Sequence, residues 1–276
     1  MEVTILMSPV HDVIGVIGGS GLYELLDDST SREMSTPFGP PSGPVTIGTV
    51  GDRQVAFIAR HGPGHQYQPH RIPYRANLWA LHELGVRRVL APCAVGSLDA
   101  AYGPGTLVVP DQLVDRTSGR VKTFFDQDGG VHAPFADPYC PDLRKRVAAH
   151  AESVGWPPLT DATLVVIEGP AFSTRAESRW YAAQGWRIVG MTGVPEAVLA
   201  RELGMCYVPV ALVTDLDAGA AEGQGVSHQD VLAIFEQNIG RLRELLMGVL
   251  AELPSDSSCG CAELVADFPA TPTLPA

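Results

Sequence analysis

No apolar run in the chain approaches the roughly 18–20 residues that a membrane-spanning helix needs, and Glu2 stands where a secretory signal would carry basic residues. The expectation is a cytoplasmic protein. Basic residues are scarce as well: 19 Lys and Arg against 31 Asp and Glu leave a formal net charge of −12. Such a surface repels phosphate backbones and anionic lipid, so neither nucleic acid nor membrane is an expected partner. Cysteine is thin and odd in number, five in 276 residues, and a chain of this size needs no disulfide framework. Reduced thiols are expected. Cys259-Gly260-Cys261 could close a strained disulfide or supply half of a metal site, but no second Cys or His pair is near it in sequence, and two exposed thiols are the favoured reading. No internal repeat of solenoid period is found. A dinucleotide fingerprint is missing too, because Gly15, Gly18, Gly19 and Gly21 do not give G-x-G-x-x-G.

What is present is a core-forming composition, 45% hydrophobic with 18% charged. Apolar or β-branched runs at 13–17, 45–50, 54–59, 86–92, 106–109, 163–168, 187–191 and 206–214 read as strands with helical patterns between them, which implies a large mixed sheet in an α/β domain. A helix is expected from near Pro73 to Leu84. Another follows a capping box of Ser227 and Asp230, with Val231, Phe235, Leu242, Leu245, Val249 and Leu253 on one core-facing stripe. From Pro254 the composition turns to Pro, Ser, Ala and Thr without Lys or Arg, so the chain divides into a body over 1–253 and a flexible tail over 254–276. The apolar residues Leu264, Val265 and Phe268 offer that tail a way to dock on the body or on a neighbouring subunit.

Three strand ends carry groups suited to a small anion. The first strand runs into Gly18-Gly19-Ser20-Gly21, where backbone N–H groups and a hydroxyl are exposed, although a plain structural turn is the commoner meaning of such a cluster. Arg60-His61-Gly62 follows the 54–59 strand and can grip one anion with a guanidinium and an imidazole. His65, His70 and Arg71 come next, the last two read as loop residues. Cys93-Ala94-Val95-Gly96-Ser97 again places small residues at a strand end.

With Glu168-Gly169-Pro170-Ala171-Phe172-Ser173-Thr174, then Met191-Thr192-Gly193-Val194-Pro195-Glu196, then Thr214-Asp215-Leu216-Asp217, the chain resembles the trimeric purine nucleoside phosphorylase family, most closely its 5'-methylthioadenosine branch. The matching blocks stand in order across about residues 14–250. The resemblance implies a single α/β domain with a mixed central sheet flanked by helices, a homotrimer or a dimer of trimers, and phosphorolysis with inorganic phosphate as co-substrate and no metal or organic cofactor. It puts phosphate against Ser20, Arg60, His61, Cys93, Ala94 and Thr192. Met191 would lie against the ribose, with Glu168 and Phe172 flanking the purine, though Phe172 could equally be a core aromatic. Asp215 would donate toward purine N7, its carboxyl raised by desolvation, with Asp217 supporting it or capping a turn. Asp at 215 goes with 6-aminopurines. His132 would reach into a neighbouring subunit's 5' pocket, and Val231 and Leu232 would line that pocket.

The chain departs from the family pattern at Cys93, where Thr is usual, at Ala171 for Arg, at Gly190 for Asn, and at His228, where a small apolar residue is common. The His228 imidazole could bond a 5'-hydroxyl or turn outward at the helix start, the latter favoured. The expected reaction is phosphorolysis of 5'-methylthioadenosine. The alternatives are a phosphorylase for other 5'-modified adenosines, adenosine or 6-oxopurine nucleosides, or a nucleoside-binding protein that has lost turnover, for which Cys93 and Ala171 would speak.

Overall fold

In the computed structural model the chain is described over residues 13–19, 22, 26–218, 225–254, 259–269 and 271–274. The elements run β1 (Ile14–Gly18), β2 (Asp27–Arg32), β3 (Val45–Val50), β4 (Arg53–Ala59), α1 (Tyr74–Glu83), β5 (Arg88–Ser97), β6 (Leu107–Val108), β7 (Gln112–Arg116), α2 (Pro141–Ser153), β8 (Thr163–Ile167), α3 (Arg175–Ala183), β9 (Ile188–Gly190), α4 (Gly193–Glu202), β10 (Cys206–Leu216) and α5 (His228–Glu252). The strands form one 10-stranded mixed sheet in the order β2-β3-β4-β1-β5-β9-β8-β7, with β10 beside β5 and β6. Each of the eight apolar runs expected to be a strand is one. The two strands with no such run, β2 and β7, end that order on either side, where one flank has no neighbour and polar residues discourage edge pairing.

Helices cover both faces of the sheet, and the alternation of the strands decides what each helix meets. Val208, Val210 and Leu212 of β10 pack with Leu143 and Val147 of α2 and Leu245 and Val249 of α5. Tyr207 turns the other way and joins Leu78 and Leu81 of α1 and Leu199 of α4. Only the second half of α5 is core: Leu242, Leu245, Leu246, Val249 and Leu250 are buried, whereas Val231 lies on a cleft and Phe235 is only half-buried. The expected capping box at Ser227 is not made, since Ser227 takes the N-cap position without a side-chain bond. Thr174 and Glu177 form one at α3 instead.

The strand β5 is where the sheet opens. Along one edge it pairs with β10 from Arg88 to Ser97. The other edge is shared: β1 pairs with Arg88–Leu90 and β9 only with Gly96 and Ser97. Between them, on that edge, residues 91–95 have no strand beside them among the described residues, and the gap faces a cleft.

The described part of the C-terminal segment lies on the body, the docked form of the tail rather than the free one. Phe268 meets Phe125 edge-on at 5.6 Å, and the Thr273 hydroxyl donates to Asp128 Oδ1 at 2.6 Å. Cys261 is buried and Cys259 half-buried, which corrects the reading of two exposed thiols: Cys140 and Cys206, distant in sequence, are folded against them. No described helix is long and apolar enough to cross a membrane.

Candidate functional site

The gap in β5 is the floor of a cavity of about 520 Å³, lined by the ends of several strands and the first turns of α5. Ligands of open α/β sheets settle where neighbouring strands part in this way.

At one end the groups suited to an anion converge. Arg60 follows β4 and is 2% exposed. Its Nε donates to Glu196 Oε1 at 2.6 Å, its Nη2 to Glu196 Oε2 at 3.1 Å and to the Ile17 carbonyl at 2.9 Å, and its Nη1 to the Pro92 carbonyl at 2.9 Å. The guanidinium's donors are thereby used except for the second N–H of Nη1. Burial alone would lower its pKa, but the Glu196 carboxylate more than offsets that and holds it above its ordinary value. Arg60 is thus a braced, charge-compensated residue. His61 Nδ1 lies 2.8 Å from the Tyr67 carbonyl, which assigns the proton to Nδ1 and the lone pair to Nε2. Burial brings its pKa down to about 4, so the ring is neutral near pH 7.

The Pro92 carbonyl points into the β5 gap, and by the strand's period of two the Ala94 N–H points the same way. Thr192 is the N-cap of α4 but its hydroxyl makes no cap bond and is left for the cleft. Burial pushes the Cys93 thiol up to about 11, leaving a neutral, weak S–H donor in the same wall. Gly19 lines this end also. Ser20 lies outside the described residues.

Opposite stand two carboxyl groups. A bulge between Val213 and Asp215 shifts the β5–β10 register, and Asp215 and Asp217 both line the cleft. Burial raises Asp215 to about 6; the Thr214 hydroxyl, donating to Oδ2 at 2.9 Å, pulls it down, and the nearby Asp217 adds to the rise. Asp217 is 3% exposed and raised by burial, with the Ser178 and Ser173 hydroxyls countering it, and its Oδ2 has no protein hydrogen-bond partner. It lines the cleft, and its carboxyl also takes a backbone hydrogen bond from Ala218. Gly96 keeps this corner open, because a Cβ there would come within 2.9 Å of Asp215 Oδ1.

Phe172, 38% exposed, lies on the cavity wall and not in the core. Met191 lies against Gly169, whose φ is +65° and where a Cβ would come within 2.7 Å of the Met191 sulfur, so no side chain fits. Glu168 departs from expectation: it is not in the lining, and its carboxylate accepts from Arg120 Nε at 3.2 Å and from the Ser118 N–H at 2.6 Å. Arg120 links it to the Met191 carbonyl at the end of β9. That side chain, 2% exposed, also donates to the carbonyls of Met191 at 2.8 Å and Glu168 at 2.6 Å and to the Tyr74 hydroxyl at 3.2 Å, tying the ends of β8 and β9 to α1. Sequence reasoning missed it, since it stands alone in a loop. Glu196 was visible within a motif but carried no role.

The remaining wall is apolar and comes from α5: Val231, Leu232 and Phe235, with His228 at its first turn. His65 closes this side, stacked on His61 at 4.3 Å and 6.5 Å from the His228 ring. His228 therefore borders the cavity and does not turn wholly outward. His132 is exposed and absent from this chain's own cavity.

The arrangement can hold an oxyanion at one end, a flat heteroaromatic ring beside a protonatable carboxyl at the other, and an apolar substituent along α5. Residues 13–251 match the sequence family described as the phosphorylase superfamily. The chain is 58% identical over 249 residues to an S-methyl-5'-thioadenosine phosphorylase of Mycolicibacterium smegmatis, covering 90% of this chain and 93% of that one. It is 56% identical over 269 residues to a purine nucleoside phosphorylase of Streptomyces coelicolor, covering 93% and 96%. A crystal structure of methylthioadenosine phosphorylase from Schistosoma mansoni in complex with adenine superposes with a TM-score of 0.87 at 35% identity, covering 93% of this chain and 98% of that one.

Proposed function

The chain belongs to the phosphorylase superfamily, and on that premise we propose that it cleaves 5'-methylthioadenosine with inorganic phosphate, yielding adenine and 5-methylthioribose 1-phosphate. The observation that carries this reading is the facing pair within one cavity: a braced anion seat at Arg60, His61, Ala94 and Thr192, and across from it Asp215 with its carboxyl raised to about 6. The reaction breaks the bond between the anomeric carbon and purine N9 and forms one from that carbon to a phosphate oxygen. Positive charge builds on the sugar in between while the bonding pair leaves with the purine, so the phosphate must already be aimed and the negative charge growing on the purine must be stabilised.

The remaining Arg60 N–H, the Ala94 N–H and the Thr192 hydroxyl donate to phosphate, while the His61 Nε2 lone pair accepts from a phosphate hydroxyl. Protonated Asp215 donates to N7 as the C–N bond lengthens, and Asp217 Oδ2 accepts from the 6-amino group. Phe172 covers the ring and Val231 and Leu232 take the methylthio group. The reaction as drawn uses phosphate as co-substrate and no organic cofactor. The enzyme works as a homotrimer in the cytoplasm, in purine and methionine salvage, and His132 completes a neighbour's pocket.

The Streptomyces relative's name and the position of His228 favour a second reading, in which a 5'-hydroxyl nucleoside is accepted through that imidazole. Purified protein should release adenine from 5'-methylthioadenosine only when phosphate is present, with the sugar recovered as its 1-phosphate. Free methylthioribose, or equal rates without phosphate, would refute the proposal; a higher kcat/KM for adenosine or inosine would decide for the second reading.

A further inference from the structure

Four sulfurs meet at the far end of the strand that carries Asp215. Cys140, Cys206, Cys259 and Cys261 place their Sγ atoms all within 4.8 Å of one another, and three of the four residues are buried. Cys206 opens β10, so with a rise of about 3.3 Å per residue the cluster lies about 30 Å along the strand from Asp215. It is no part of the nucleoside cavity. All four side chains are thiols.

We propose that this cluster is a structural site for a soft divalent metal, zinc in the first instance, which fastens the C-terminal segment to the sheet. The departure from the expected metal-free chain comes from folding, which supplies the second cysteine pair that the sequence does not show beside the Cys-Gly-Cys. Zinc held by four thiolates at about 2.3 Å requires sulfurs about 3.8 Å apart. The cluster spans that edge length: Cys206 and Cys259 are 3.1 Å apart, and no pair exceeds 4.8 Å. Both values lie within about 1 Å of that edge.

The surroundings are those of a bound thiolate. Cys140 is the N-cap of α2, and its Sγ accepts the Leu143 N–H at 3.4 Å, so a helix N-terminus and a backbone donor both favour negative charge there. Arg88, 4% exposed, stands opposite Cys206 in the β5–β10 register, a fixed cation against the double negative charge that zinc and four thiolates leave. Its Nη1 also holds the Pro254 carbonyl at 2.7 Å, on the chain that leads to Cys259. Binding releases the four thiol protons to solvent, and no oxidant is needed.

The full-length protein, kept reduced and loaded with zinc or cobalt, should retain about one metal ion per chain through gel filtration, with cobalt showing intense sulfur-to-metal absorption. Cys259→Ser and Cys261→Ser should each weaken retention by more than the roughly 10–100-fold typical of losing an outer-shell partner and lower the Tm, with nucleoside turnover at moderate temperature unchanged. Because Cys140→Ser could fail to fold, the test rests on the two tail cysteines. Reduced, metal-replete protein that retains neither ion would overturn the proposal. So would an intact mass showing the hydrogen loss of disulfides between these sulfurs in protein isolated under native conditions.

Discussion

Burial raises the Asp215 carboxyl from the ordinary carboxylate range to about 6, and that decides what pH should do. The protonated carboxyl, the proposed donor to N7, is lost from the free enzyme as pH rises through that value. kcat/KM for a 6-aminopurine nucleoside should therefore show an alkaline limb near pH 6, with kcat declining only at higher pH once bound purine excludes water. Asp215→Asn should abolish that limb and cost about 2–4 kcal/mol of transition-state stabilisation, while activity on 6-oxopurines rises relative to 6-amino substrates. Pre-steady-state and steady-state profiles of both proteins check this; an unchanged limb in the variant would assign it elsewhere. The raised pKa has a stability counterpart: the folded chain binds this proton more tightly than the unfolded one, so the contribution is full below about pH 4 and lost as pH rises through about 6.

Arg60 makes a different kind of prediction. Arg60→Ala strands Glu196, which is 1% exposed, and should destabilise the fold by about 3–5 kcal/mol in denaturant titrations. Pairing Arg60→Met with Glu196→Gln should recover much of the stability but not the use of phosphate. Recovery of both would deny Arg60 any contact with the anion.

Among the elements, α5 joins two tasks at one helix, a core half from Leu242 onward and a cleft half from His228 to Phe235. Val231→Asp should raise KM for the methylthio substrate by about tenfold or more with little loss of kcat, and His228→Leu should widen the preference for methylthio over 5'-hydroxyl substrates. Competition kinetics between the two nucleosides reads both; a kcat defect without a KM change would remove α5 from the 5' pocket. The same helix shows what sequence could and could not reveal. Its apolar stripe runs unbroken from Val231 to Leu253, because a cavity wall and a core present the same face to the periodicity. Strands with apolar runs were legible for the same reason that β2, with Asp27, Asp28, Ser29 and Ser31, was not. Arg60, His61 and Asp215 were legible because motifs carried them to strand ends. The part played by Arg120 was hidden, because its partners Met191 and Glu168 are 71 and 48 residues away and only the sheet order brings them together.

For the whole molecule, assembly and charge remain. If His132 serves a neighbour, chains carrying His132→Ala and chains carrying Asp215→Asn, each impaired alone, should regain activity when co-expressed, since mixed assemblies would contain some pockets with neither defect. Mixed assemblies no more active than the sum of the two variants would confine His132 to the surface. The last consequence follows from the Arg60–Glu196 pair. A site that captures an anion through a basic funnel loses affinity as salt is added. Here the fixed cation in the described lining is already neutralised by Glu196, while the chain as a whole carries −12. The long-range field therefore opposes phosphate and only short-range donors attract it. Raising potassium chloride from low to moderate concentration should leave KM for phosphate unchanged or lower it, as dissolved ions screen the repulsion.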